Sequence, residues 1–361
     1  MKLRYYSILF GLLTMASCQK KLAVKEAPDF SVSVEGTSFA ANTPVTFNIE
    51  GSADIISFYS GELFRDYAFK EGREVDVTGK GLTVSFKSGV APGSPAGTQE
   101  NQLSILMSTD FTGNYTDLAS VKAATWKDIT DSFTLGTSAT PVNSDTADLS
   151  AFVTDGKPIF LALKYINRPQ VANGFARQWI FENFTLNSKD TLSNGAPINI
   201  ASQNTLGFRI VDENPVNAPA RSTITPTRVT LYGPGYKNPN DPIFNPDNPI
   251  FDPKNPIYNP DSAAYVSGAE LPKYVPYDPN SPYNDPYSEN WAVSAPITVG
   301  KVSLGMDKAL AVRGSIYQAK PTSYKYVYKT PGTHKAIFVA SNNTIDESKQ
   351  VIKEVNITIT L

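Results

Sequence analysis

The residues that most often carry chemistry are scarce in this chain, which holds a single cysteine, Cys18, and a single histidine, His334. A Ser-His-Asp triad would have to run through His334, and a Cys-His pair would also need Cys18. No site of several Cys or His ligands can be assembled, which removes the usual zinc centres. His334 follows the Pro331-Gly332 turn at the start of an apolar run, with no Ser or Asp pattern beside it, and reads as a strand residue. Paired carboxylates could hydrolyse a glycoside, but among 34 acidic residues spacing singles out no pair. The chain is therefore read as non-catalytic, with no cofactor and no metal assigned; a glycosidase is the lesser alternative.

Aromatic rings are plentiful instead: 18 Tyr, 19 Phe and 3 Trp. A flat ring can cover the apolar face of a pyranose while polar neighbours take its hydroxyls. Trp126, beside Lys127 and Asp128, and Trp291, after Glu289 and Asn290, are candidates for such platforms. Trp179 lies in a run that is apolar on both faces and reads as core. A proline ladder supplies two more candidates. Asn238 to Phe244, Asn245 to Phe251 and Asp252 to Tyr258 form a seven-residue repeat with looser echoes further on, within an arm spanning 236–289. Each proline fixes φ and pushes the preceding residue towards extended geometry, so serial turns are expected rather than a helix or a central strand. The leading reading of the ladder is a surface loop without a ligand. Against it stands a binding face that presents Phe244, Phe251 and Tyr258 in series, of which Phe251 and Tyr258 are taken as candidate glycan contacts. A third reading has Asp241, Asp247, Asp252 and Asp261 collecting calcium, although a compact calcium loop would alternate its acids.

The elements that must position these residues are strands. Phe30 to Val34, Val45 to Ile49, Leu103 to Met107, Ile159 to Tyr165, Gln178 to Phe184, Lys335 to Ala340 and Val355 to Ile359 carry β-branched and aromatic residues, many with a period of two. Only Asp117 to Ala124, after Thr116 as a cap, suits a helix. An all-β protein of sandwiches is predicted. At 361 residues two or three domains are expected, and 32 basic against 34 acidic side chains offer nothing to draw nucleic acid.

The leader gives an address. Lys2 and Arg4 precede an apolar run from Tyr5 to Met15, too short to span a bilayer. Met15-Ala16-Ser17-Cys18 resembles a bacterial lipobox. That resemblance implies cleavage after residue 17 and a diacylglycerol on the Cys18 thiol, which holds the protein to a membrane; an ordinary signal peptide with a chance cysteine is the alternative. Residues 18–28 read as a short polar tether. An outer-membrane lipoprotein is expected, with the leaflet left open.

Both chain ends resemble one module. Tyr324 to Asn342, with its Tyr-rich strand, Pro331-Gly332 turn and return strand, resembles the final hairpin of a PKD-like immunoglobulin-type sandwich. Pro44 to Glu62 resembles the opening of the same module, with Phe58-Tyr59-Ser60-Gly61-Glu62 in place of its usual turn motif. The split module is assigned to 29–74 and 312–361. The intervening 75–311 carries phrases around Leu103 to Tyr115, Trp126, Leu163 and Trp179 that resemble a jelly-roll domain related to carbohydrate-binding modules. Together these resemble a Bacteroidetes lipoprotein family of undefined role, associated with starch-utilisation-type glycan uptake. The resemblance implies glycan capture beside an outer-membrane transporter complex. A structural or adhesive protein that binds another protein is the alternative. Asp145-Thr146-Ala147, Asp190-Thr191-Leu192 and Asp261-Ser262-Ala263 resemble O-glycosylation acceptors, in keeping with an extracytoplasmic setting.

Overall fold

The computed structural model describes residues 21–91, 97–154, 156–168, 173–213, 215, 220–233, 244–274, 276 and 287–361. The chain divides into two compact units, Met1–Arg73 with Leu304–Leu361, and Glu74–Ser303. The protein is all-β, as the alternating runs predicted. Among the described residues no helix is long and apolar enough to cross a membrane.

The first unit is a sandwich to which both chain ends contribute strands. Its smaller sheet places Pro44–Ser52 between Asp29–Val34 and Ser323–Val327. The larger runs Leu310–Arg313, Ile55–Tyr59, Gly332–Asn343, Ser348–Thr360, Ser38–Ala40, with only the last pair parallel. Period-two alternation turns Val45, Phe47 and Ile49 inward. Phe58 lies opposite Phe338 in the register, their ring centroids 4.7 Å apart, and Phe47 lies 5.3 and 5.2 Å from the two rings. Tyr328 is fully buried and donates its hydroxyl to the Ser60 carbonyl at 3.1 Å. Gly61 has φ +80° and presses on the neighbouring strand, where an added Cβ would stand 2.7 Å from the Lys335 carbonyl oxygen; only glycine fits there. His334 is buried, as a strand residue should be, and one of its ring nitrogens lies 2.9 Å from the Thr330 carbonyl.

Two expectations about this region change. The 18–28 stretch is not a free tether where it is described. The Leu22 amide donates to Asp346 Oδ2 at 2.8 Å, the Val24 amide donates to Glu347 Oε2 at 2.7 Å, and Lys349 Nζ reaches the Val24 carbonyl at 2.7 Å. Polar residues looked like solvated linker because their partners lie more than three hundred residues away. The helix, in the other unit, is shorter than expected, Leu118–Lys122, and its cap is Asp117 rather than Thr116, with Oδ1 accepting from the Ser120 amide at 2.7 Å.

The second unit packs two antiparallel sheets. One follows the order Ala147–Asp148, Leu82–Ala91, Gln178–Thr191, Arg228–Leu231, Thr223–Ile224, with Pro197–Ser202 and Val142–Asn143 alongside. The other follows Arg209–Asp212, Ser288–Val293, Phe160–Asn167, Leu103–Ser108, Lys127–Asp128. Leu82, Val84 and Phe86 line the core with Phe181, Phe184 and Leu186, and Trp179 is buried as its run implied.

Asp307 is almost fully buried in the first unit, and its carboxylate takes two bonds from Arg73, at 3.0 and 2.7 Å, and one from the Asp66 amide at 2.9 Å. Burial alone would raise this carboxyl, but the guanidinium and the amide outweigh it and hold it below its ordinary value. A depressed carboxyl stabilises above its unfolded pKa and loses that contribution as pH falls through the folded one. Asp307→Asn is therefore expected to cost most near neutrality, with the difference from wild type shrinking below about pH 4 in urea unfolding. Phe338→Ala is expected to cost about 3–5 kcal/mol by the same measurement.

Candidate functional site

The five-stranded sheet of the second unit has one face on the core and one turned outward, and the outward face gathers most of the candidate chemistry. Register sets its membership: Trp291 lies opposite Lys164 and Val211, and Val293 opposite Ala162 and Arg209. The Ser288–Val293 strand is buried along its whole length. Apolar side chains occupy one end of the outward face. Phe160, Ala162, Trp291 and Val293 lie beneath Phe111, Leu118 and Val121 from the segment that contains the short helix. Trp126 closes this cluster, its ring 5.3 Å from Trp291 and 5.6 Å from Phe111, and its Nε1 donates to the Val121 carbonyl at 2.8 Å.

An ionic network occupies the other end. Glu289 is 1% exposed. Its Oε1 accepts from Trp291 Nε1 at 2.5 Å and lies 3.7 Å from Lys164 Nζ. Its Oε2 accepts from Lys122 Nζ at 2.5 Å and from the Tyr287 hydroxyl at 3.3 Å. On the neighbouring strand end, Glu213 accepts the Glu289 amide at 3.1 Å, and its own amide donates to the Glu289 carbonyl at 3.0 Å. Glu213 is exposed as a residue. Even so, the protein around its carboxyl raises it above its ordinary value, and the Glu289 charge adds to this against the pull of Lys122. Burial and the same two carboxylates push the Tyr287 hydroxyl up as well. Both oxygens of Glu289 are thus committed to donors within the protein, which makes it a brace that holds Lys122 and Trp291 in place.

The four aromatic candidates fare differently. Trp291 is 3% exposed and offers no free face for a sugar; alternation places it under Trp126, and Glu289 holds its indole N–H. Phe251 is half-buried and meets Tyr274 edge to face at 5.4 Å. Half-buried Tyr258 donates its hydroxyl to the Ile250 carbonyl at 2.6 Å, and burial pushes that hydroxyl up to about 12. Phe244 is buried, so the ladder does not present its rings in series. The reason is local. Asn248 and Asn255 cap the short turns Pro249–Phe251 and Pro256–Tyr258, and each turn folds its aromatic back onto the arm. Of the calcium candidates, Asp241 lies outside the described residues, and Asp252 accepts the Lys254 amide at 2.8 Å. Among the described residues no three His, Cys, Asp or Glu side chains come together as a metal would need. Cys18 also lies outside the described residues. Trp126 is half-buried, as Phe251 and Tyr258 are, and has exposed Thr125, Lys127 and Asp128 beside it; of the four it is the one that is both partly open and held against the buried cluster of the five-stranded sheet.

Sequence reasoning missed Lys122, Lys164, Glu213, Tyr287 and Glu289. The available signal was an acid two residues before a tryptophan in an alternating run. Glu289 and Lys122, however, are 167 positions apart, and no local pattern joins them.

Residues 17–208 match the model of a family described as a domain of unknown function (DUF5017). The chain belongs to the DUF5017 family. No curated protein and no solved structure matches it. The matched stretch of this DUF5017 protein holds Lys122, Trp126 and Lys164, whereas Glu213, Tyr287, Glu289 and Trp291 lie beyond it. The outward face is therefore assembled from the matched segment and the chain that follows.

Glu289→Gln weakens the charge-assisted bonds to Lys122 and Trp291 while leaving both lysines in reach of solvent, and a loss of about 1–3 kcal/mol in urea unfolding is expected. Glu213→Gln is expected to act in the opposite direction. A carboxyl raised by folding favours the folded state while protonated and loses that advantage as pH climbs through the raised value. Because Glu213 is exposed and solvent screens its charge, the substitution should raise Tm only slightly at pH 7 and leave it nearly unchanged at pH 4.

Proposed function

We propose that this DUF5017 protein is a lipid-anchored, non-catalytic protein of the outer membrane that captures glycan at the outward face around Trp126 and serves a neighbouring uptake transporter. The observation that carries the reading is the state of Trp126. Its indole N–H is tied to the Val121 carbonyl and its ring is held against Trp291 and Phe111, while part of it remains in solvent beside exposed polar side chains. A rigid ring at the surface costs little order when a sugar stacks on it. Tyr115 adds a second half-buried ring, fixed by its hydroxyl to the Ser294 carbonyl at 2.7 Å and covered by the Arg209 guanidinium at 4.6 Å. The lipobox resemblance at Cys18 supports the anchor, and the PKD-like and jelly-roll resemblances of the two segments support the envelope setting. Anchoring would raise the local concentration of weakly held oligosaccharide near a transporter.

Isothermal titration of the signal-free body against a panel of oligosaccharides tests the reading. Binding is expected for at least one glycan class, weakened about tenfold or more in Trp126→Ala at unchanged fold by circular dichroism, and unaffected in Tyr258→Phe. Incubation with the bound glycan should release no new reducing ends. Absence of binding across the panel would overturn glycan capture, and turnover of a polysaccharide would overturn the non-catalytic assignment.

A further inference from the structure

Leu22, Ile55, Ile316, Tyr317 and Ile345 are exposed apolar side chains at one end of the first unit's sandwich, and the chain that leads back to Cys18 leaves from that end, while Phe64, Met306, Val327, Ile352 and Leu361 are exposed elsewhere on the unit. Register establishes this end. Ser52 pairs with Asp29, Ile55 with Ser341, Arg313 with Ile56, and Asn343 with Ser348, so the Ser52–Ile55 turn, the Arg313 loop and the 344–347 turn all lie together. Two tips project from it. Ile345 is 88% exposed on a turn held by the Thr344 amide to the Glu347 carbonyl at 2.8 Å and by Thr344 Oγ1, which accepts the Glu347 amide at 3.0 Å. Ile316 and Tyr317, 56% and 92% exposed, crown a loop held from beneath by the buried Arg313. Its guanidinium donates to the carbonyls of Ala53, Ile316 at 2.9 Å and Gln318 at 3.2 Å. Both tips are therefore stiff. A buried arginine spent on carbonyls to present an isoleucine and a tyrosine to water needs a reason, and solubility supplies none.

The leash supplies one. Leu22, itself 57% exposed, is fixed beside Ile345 on both sides: its amide donates to Asp346, and its carbonyl accepts from Thr344 Oγ1. Four residue steps separate Leu22 from Cys18, a reach of about 14 Å even at full extension. An acyl group on Cys18 would thus hold this end within about 14 Å of the lipid. We propose that this end of the first unit rests on the membrane, with Ile345, Leu22 and the Ile316–Tyr317 tip seated in the lipid interface, where a tyrosine can bury its ring and keep its hydroxyl wet. The proposal rests on the lipid-anchor part of the function proposed above. Charge does not drive the contact: along 21–26 and 342–349, Lys21, Lys25 and Lys349 are matched by Glu26, Asp346 and Glu347. The partner is accordingly an electrically neutral phospholipid surface, and the contact should persist in high salt.

The chain's only native thiol is at Cys18, so in the acylated full chain an introduced cysteine is the only free one. Ile345→Cys, Tyr317→Cys and, as a control, Glu35→Cys would each be labelled with a fluorophore and bound to phosphatidylcholine vesicles containing nitroxide-labelled lipid. Glu35 is exposed beyond Val34, at the opposite end of the same sandwich. Nitroxide quenching at 345 and 317 at least threefold above that at 35, unchanged in 0.5 M salt (roughly a 4 Å screening length), is the expected result. Equal quenching at all three positions on protein that floats with the vesicles would overturn the orientation and leave the anchor standing. Intact mass without acyl chains on Cys18, and no flotation, would overturn the anchor and the orientation with it.

Discussion

The first unit depends on one pairing, Ile55–Tyr59 against Gly332–Asn343, which sets Phe58 over Phe338 and closes the core around Phe47. The partners are joined by more than 270 residues of intervening chain. The closure entropy of such a loop grows only logarithmically with its length, so an aromatic cluster of this size can offset it. The constraint runs the other way for folding. Neither end can bury its apolar face alone, and the first sandwich cannot be completed until the last strands have been made.

The second unit shows how one sheet face can be given two characters. Along Ser288–Val293, Glu289, Trp291 and Val293 point the same way, yet the first is ionic and the others are apolar. The short Leu118–Lys122 helix reconciles them. Leu118 and Val121 join the apolar cluster while Lys122, at its last position, reaches Glu289. The carboxylate then holds the Trp291 indole N–H, and Trp126 rests on that ring. Trp126 therefore owes its fixed position to an ion pair it does not touch. Within this reading the glycan platform and the buried network form one construction, the network supplying stiffness and the exposed part of the ring supplying the contact.

The stiffness found around Arg313 in the first unit has a related logic. Arg313 spends its guanidinium on backbone carbonyls, as Glu289 spends its carboxylate on side-chain donors. In both places a charged group with every partner supplied by the protein fixes a few neighbouring residues. The exposed neighbours, Trp126 in one case and Ile316–Tyr317 in the other, are the features on which the proposed contacts with sugar and lipid rest.

Period-two alternation determined the strands and the all-β class, because which way a side chain points along a strand is a local property of the backbone. It made Trp179 core and His334 a strand residue, and both are buried. Turn chemistry was equally local: the described repeats of the proline ladder form serial turns, capped by Asn248 and Asn255. Alternation could not say what would cover a face. Trp291 has charged and polar neighbours and looked open to solvent, but a segment some 165 residues earlier in the chain lies over it. One reading displayed Phe251 and Tyr258 to a ligand, but contacts within the arm, with Tyr274 and with the Ile250 carbonyl, leave both half-buried. Leu22 to Glu26 looked like linker until the 342–349 hairpin supplied its hydrogen bonds. Burial of a given face, and the partner of a given charge, depend on residues far away in the chain, and only tertiary packing brings those together.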